Sequence, residues 1–327
     1  MLQEQGEFYT HSGKITTSCI IGIASAIGAA MVLGIIYAYA TFYIPLIYIN
    51  VVITIGCGFV LGYAIAKLML NFKCRNHMFC LVAGGIGGLA CLYASWVGFA
   101  YIFFNKFYPQ FNVTFTKLLT SPGGLWNFAV DLSKTGWFSM GSSSSTDPSY
   151  VKGVFLWIIW IIEAGIIVGA AVIMSAGAIT EEVFCEKCDK WASKREDVEE
   201  FLAEDPDMVI DKALAGDVSF IYDVHGVSSN EPYYLGLDVF KCNKCKELHA
   251  FTINGATRTW DENGNESLSK EAIIRHRLIS GEDMAILLNP PPMGANVQEE
   301  PAQEYYQQPE EQYEQPEAQE DDPYSVG

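Results

Sequence analysis

WIIWIIEAGIIVGAAVIMSAGAITEEVFCEKC, residues 157–188, holds the boundary that organises this chain. Its first part is an apolar run broken only by Glu163, and its last part is a Cys-x-x-C pair, Cys185 and Cys188. An uninterrupted apolar stretch of about 20 residues matches a hydrocarbon core of about 30 Å, so the run reads as a membrane-spanning helix. The cysteine pair follows it almost directly.

The charge balance changes at the same place. Eight Lys/Arg and five Asp/Glu precede residue 181, a net of +3, leaving 12 and 33 for the remainder, a net of −21. A chain that is half hydrophobic with a net charge of −18 thus resolves into a membrane half and an acidic, water-soluble half. The acidic half lacks the Lys/Arg excess needed to neutralise phosphate, which excludes nucleic acid as a bulk-charge partner and leaves proteins or cations.

Working backwards from the quoted run, three more apolar stretches are long enough to span: residues 18–41, 44–70 and 78–104, with the fourth at 153–178. The first two are nearly continuous and predict a tight hairpin, Pro45 standing where a missing N–H costs least. Residues 1–17 form a polar N-terminal segment with no cleavage motif after the apolar run, which reads as an uncleaved first span. The connection NFKCRNH, residues 71–77, carries Lys73 and Arg75, whereas the first connection carries no basic residue. The positive-inside rule places that side, and both termini, in the cytosol of a multi-pass protein of the cytoplasmic membrane. All nine cysteines lie in spans or on that side, and the opposing loop, 105–152, has none. The aromatic residues of that loop predict an amphipathic segment at headgroup level, followed by a flexible GSSSSTDPS tether, residues 141–149.

Small residues recur every four positions in the first span, at Gly22, Ala26, Ala30 and Gly34 and on to Ala38, and Gly58/Gly62/Ala66, Gly84/Gly88 and Gly165/Gly169 repeat the device elsewhere. Such stripes let helices approach closely, either within one bundle or between copies in a homo-oligomer. Glu163 lies ten residues beyond Gly153, roughly 15 Å into the span and near the midplane. A carboxylate there requires hydrogen-bond partners, for which Tyr37, Ser25, Thr54, Tyr63 and Ser95 are candidates, or a wet cavity. Its readings are an interhelical hydrogen bond and an ion or proton site.

Downstream, VFKCNKCKELHAF, residues 239–251, contains a second pair, Cys242 and Cys245, between LGLDVF and ELHAFTI, both readable as strands. Four thiolates on two tight turns match a tetrahedral Zn2+ site, so Cys185, Cys188, Cys242 and Cys245 are the expected ligands. In this respect residues 183–260 resemble zinc-ribbon domains, which build one structural metal site from two such turns. Thiol–disulfide chemistry would need a pair at a helix start in a βαβ setting, which neither has. His249 lies near the second pair, but four thiolates already close a site, and His225 reads as a surface residue.

The 53 residues between Cys188 and Cys242 exceed the usual ribbon interval of about 15–20 and predict an inserted helical subdomain. Residues 193–204 (SKREDVEEFLAE) have a capping-box pattern and predict a helix, residues 206–216 a second, and VSFIYDV, 218–224, a strand. After the hairpin, residues 257–266 predict a strand and an Asn-Gly turn, and 269–280 and 281–289 two short helices. From residue 290 the chain has ten acidic residues after Asn296, no basic ones, and four prolines from 301 onward, a composition that stays disordered.

The expected architecture is therefore an all-α four-helix transmembrane bundle over residues 18–180, a small cytosolic α+β zinc-ribbon-like domain over 181–289 and a disordered acidic tail over 290–327. The expected role is a scaffold or accessory subunit embedded in membrane lipid, with a protein partner on the cytosolic domain or the tail. A small transporter or channel component using Glu163 is the alternative. No nucleophile–base motif, phosphate loop or HExxH helix is present, so the chain reads as a non-enzyme.

Overall fold

The computed structural model describes residues 8–44, 46–137, 150–228, 231–262 and 264–290. Pro45, the 141–149 tether, the Asn263 position of the Asn-Gly turn and the tail beyond residue 290 lie outside the described residues.

Four helices, α1 (Thr17–Tyr43), α2 (Ile47–Asn71), α3 (His77–Phe107) and α6 (Val154–Thr180), are long and apolar enough to cross a membrane. Between α3 and α6 stand two shorter ones, α4 (Phe115–Leu119) and α5 (Pro122–Thr135). The sharp turn into α3 is held by Asn76, whose side chain accepts from Phe79 N at 2.8 Å. Helix α1 packs on α3, α3 on α6 and α6 on α2.

Those contacts run along the small-residue stripes. Gly22, Ala26, Ala30, Gly34 and Ala38 are all on the buried face of α1. A Cβ at Gly34 would stand 2.2 Å from the carbonyl oxygen of Cys91 in α3. On the other face of α3, Gly84 meets Ser175 and Ala171 of α6, and Gly62 of α2 meets Ala170 and Met174. The stripes of α1, α2 and α3 therefore pack this bundle from within. Gly165 and Gly169 have nothing within 4 Å of a Cβ position and play no such part. Branched and aromatic residues on the opposite faces, among them Ile20, Val32, Val52, Phe59 and Ile173, point outward as a lipid-facing surface requires.

The described residues of the 105–152 loop do not lie apart from the bundle. Leu118 of α4 and Leu125 of α5 are buried against Val97 and Ala100 of α3, and Phe128 and Trp137 pack on Phe99 and Phe103. Its aromatic residues cap one end of the helices.

After α6 come a two-stranded hairpin, β1 (Phe184–Cys185) with β2 (Lys190–Trp191), and then a larger sheet. Its strands are β3 (Ser193–Ala203), β4 (Val224–Gly226), β5 (Tyr233–Lys241), β6 (His249–Trp260) and β7 (Glu266–Leu278), antiparallel in the order β4-β3-β5-β6-β7. Helices α7 (Pro206–Ala215) and α8 (Gly281–Leu288), with a 3-10 turn Val218–Tyr222, close a core over Phe201, Leu237, Phe251 and Ile274. Both helices begin on side-chain caps, Asp205 accepting from Met208 N and Ser280 from Asp283 N.

Three expected elements differ. Residues 193–204 are the strand β3, residues 269–280 belong to β7 rather than to a helix, and residues 218–224 are mostly the 3-10 turn instead of a strand. The insert between the cysteine pairs is accordingly not a helical subdomain: it supplies strands to the same sheet that carries the second pair. Both β3 and β7 carry β-bulges. In β3 the register shifts between Arg195 and Glu199 around Asp197, which has φ 48°. Val198 lies within the shifted segment, so Val198 and Phe201, three apart as on a helix, reach the same core. In β7 the register shifts on both sides of Ile274, with His276 at φ 50°, and Ile274 and Leu278 face different clusters.

Candidate metal centre

The two cysteine turns are built alike. Cys185–Cys188 closes the β1–β2 hairpin and Cys242–Cys245 the β5–β6 hairpin, and in each the next residue, Asp189 or Lys246, is left-handed at φ 51° or 57°. That backbone curls the N–H groups inward onto sulfur. Cys188 N–H donates to the Cys185 thiol, and Lys244 and Cys245 N–H donate to that of Cys242. Burial opposes ionisation of Cys242, yet these donors bring its thiol down to about 6.

The turns face each other, and all four sulfurs lie within 4.8 Å of one another, with Cys185 and Cys245 3.6 Å apart. A tetrahedron of sulfurs about 2.3 Å from a central ion has edges of about 3.8 Å, so the cluster has metal-binding dimensions. Lys187 and Glu247 form an ion pair bridging the two turns. His249 begins β6 and His225 is exposed on β4; neither belongs to the cluster.

Left-handed backbone costs a β-carbon-bearing residue about 1 kcal/mol. Lys246→Gly is expected to stabilise the protein by about 0.5 kcal/mol or less, because much of the relief is offset by the greater freedom of glycine in the unfolded chain. Urea midpoints of the two proteins measure it.

Residues not anticipated from sequence fasten the first turn to the helix bundle. Arg75, buried in the α2–α3 connection, donates to Glu186 at 2.8 Å and lies over the Phe184 ring. Lys73 pairs with Asp189 at 2.5 Å, and Trp191 Nε1 donates to the carbonyl of Leu70 at 2.8 Å. The segment before α1 joins in. Ser12 donates to Glu186, the Tyr9 hydroxyl accepts from Phe184 N at 3.0 Å, and His11 Nε2 donates to Ile179 O at 2.9 Å. Burial works against charge on Glu186, but Ser12 and Arg75 hold its carboxyl below the usual carboxylate value. Complementary charge was the legible signal: acidic Glu186 and Asp189 in one segment, Lys73 and Arg75 in the other.

His276 closes the junction from the sheet side. Its carbonyl accepts from Tyr9 N at 2.9 Å, and its ring packs on Phe240. Burial, helped by His11, Arg275 and Lys194, lowers the imidazole to about 4. An unfolded histidine binds its proton near 6.5, so the unfolded chain takes up more protons and stability falls as pH drops from 6.5 towards 4. At pH 5 the loss is about 2 kcal/mol. His276→Asn, which tolerates the left-handed backbone, is expected to remove that increment. The readout is the difference between the acid unfolding curves of variant and wild type.

Glu163 is not part of this centre. It stands in α6 beside a cavity that Tyr37 and Ser95 also line, while the Thr54 hydroxyl is taken up by Tyr37 at 2.8 Å and Tyr63 faces outward. No protein-family model, curated protein or solved structure matches the chain.

Proposed function

We propose that this protein is a membrane-embedded scaffold or accessory subunit whose four cysteines hold a structural Zn2+ in a zinc-ribbon-like cytosolic domain. The observation that carries the reading is the fastening of the first cysteine turn to the bundle through Arg75–Glu186, Lys73–Asp189 and Trp191–Leu70. A metal closed over that turn links the sheet domain to the helices at a second point besides the α6 chain itself. The sheet is then presented at a set orientation to the membrane, which suits assembly with a protein partner. Four thiolates leave no open coordination position, which supports a structural ion over a catalytic one. The Lys67, Lys73 and Arg75 cluster supports a cytosolic position for this end, and the acidic composition of residues 291–327 suits a protein partner.

The reading is tested on full-length protein in its native membranes. Native electrophoresis should show the chain in a complex larger than the monomer, and the complex should dissociate in Cys242→Ser and on removal of residues 291–327. A lone monomer, or a complex indifferent to both changes, would overturn it. Arg75→Glu should expose residues 181–183 to protease, and adding Glu186→Arg should restore protection.

A further inference from the structure

Beside the contacts that fasten the first cysteine turn lies a polar pocket that the scaffold reading does not use. Its volume is about 170 Å³. Thr16 and Ser18 line it at the start of α1, Asn71 at the end of α2, and Lys73 and Arg75 in the α2–α3 connection. Asp189, next to the first cysteine turn, lines it as well. Because α1 begins and α2 ends here, the pocket stands where two spans leave the hydrocarbon, at the depth of the lipid headgroups.

Most of the groups around it offer hydrogens. The first N–H groups of a helix have no intrahelical partner, and α1 carries no acidic residue in its first turn to meet them. The Ser18 hydroxyl and the Asn71 side-chain amide make no hydrogen bond among the described residues. Arg75 is 5 % exposed and donates to Glu186, yet its Nε has no partner. A buried donor left unmet costs free energy until an acceptor reaches it. Lys73 holds a left-handed backbone, φ 54°, which costs a residue with a β-carbon about 1 kcal/mol and is the kind of strain that persists at binding sites.

The charge balance favours an anion. Glu186 is met by Arg75 at 2.8 Å and by Lys14 at 3.6 Å, and Asp189 by Lys73 at 2.5 Å, so three cations face two carboxylates. Asp189 is the unfavourable neighbour, and its ion pair with Lys73 offsets it. The end of α1 adds about half a positive charge that no side chain of its first turn neutralises.

We propose that this pocket binds a phosphate group, supplied by the headgroup of an anionic glycerophospholipid in the adjoining leaflet. A phosphate suits both donor types, backbone N–H groups at a helix start and the side chains of Lys73 and Arg75. Size agrees. A cavity of about 150 Å³ accepts benzene, so about 170 Å³ takes a phosphate group, which has one heavy atom fewer. The bound lipid joins the start of α1 to the connection that holds the cysteine turn.

The probe is phosphatidylglycerol, titrated into full-length protein in detergent and followed by native mass spectrometry. One molecule per chain should be retained on the order of tenfold more tightly than phosphatidylcholine, whose ammonium Lys73 repels. Ser18→Asp sets a carboxylate on the same helix end. That change favours α1 itself but repels phosphate, so affinity should fall on the order of tenfold, while the uncharged isostere Ser18→Asn stays within about twofold of wild type. Radiolabelled inorganic phosphate, dialysed against the protein in phosphatidylcholine nanodiscs, separates the sources. Uptake that is absent, or suppressed by phosphatidylglycerol, supports the lipid; saturable uptake that phosphatidylglycerol leaves undiminished assigns the free anion and overturns the lipid. Helical circular dichroism and elution volume report whether each variant is folded. Equal retention of the two lipids, or equal affinity in folded Ser18→Asp and Ser18→Asn proteins, would sink the proposal. Ser18 takes no part in the contacts that fasten the first cysteine turn, so the result is independent of the scaffold reading.

Discussion

Full-length protein purified without chelator is expected to carry about one zinc per chain, and Cys242→Ser is expected to lose the metal together with the ordered state of residues 181–289. The effect is large because the metal joins parts that little else joins. The β1–β2 hairpin is two residues deep on each strand, and it contacts the sheet through the cluster of Phe184, Cys185, Phe240, Cys242 and Leu248. With the ion present, the four sulfurs that lie within 4.8 Å of one another would form a closed shell of ligands. Structural zinc sites of this kind supply about 10 kcal/mol or more of apparent binding energy at neutral pH, comparable to the whole stability of a small domain. Replacing Cys242 removes the ligand with the most backbone donors behind it. Elemental analysis, protease resistance and near-ultraviolet circular dichroism of wild type and variant check the result. A folded, metal-free wild-type protein would show that the cysteines pack as ordinary small apolar residues.

Gly34→Leu is expected to break the bundle, costing about 3 kcal/mol or more. The obstacle is backbone, not a side chain that can rotate away: the new Cβ would sit 2.2 Å from Cys91 O and 3.0 Å from Ala94 Cβ. Helices α1 and α3 would have to separate along the length that also carries Ala26, Ala30 and Ala38. Gly28 provides the control. It lies on the same helix with nothing within 4 Å, so Gly28→Leu should be neutral or slightly stabilising, since leucine is the better helix former. Thermal unfolding and size-exclusion profiles of the two variants in one detergent make the comparison. Equal behaviour would mean that α1 does not pack on α3 as described.

The bulges of β3 and β7 show where reading by pattern fails. At Asp197 and His276 a left-handed residue inserts into the strand and resets which side chains face the core. In β3 an apolar pair three apart, Val198 and Phe201, then imitates a helix, and the local composition of SKREDVEEFLAE, rich in helix formers, agrees with the imitation. Pairing with β5 along most of β3, and with β6 along β7, outweighs that preference. Asp238 secures the first bulge by accepting from Asp197 N at 3.0 Å and from Asn254 at 3.0 Å, partners distant in the chain.

What the sequence determined by itself was whatever depends on local composition and spacing. The four spans follow from apolar length, helices α7 and α8 from their local pattern, and the cluster of four thiols from two equal spacings. The small-residue face of α1 was legible too, because helical periodicity places those residues on one side. Only the tertiary structure decided what the faces meet: that Gly34 meets Cys91, that Arg75 and Trp191 lock the first cysteine turn to the helices, and that Glu163 shares its cavity with three tryptophans. Contacts of this kind join residues far apart in the chain, Tyr9 and Phe184 being separated by 175 positions. No periodicity encodes such a pairing; it exists only once the chain has folded and the energies of burial and charge neutralisation select it.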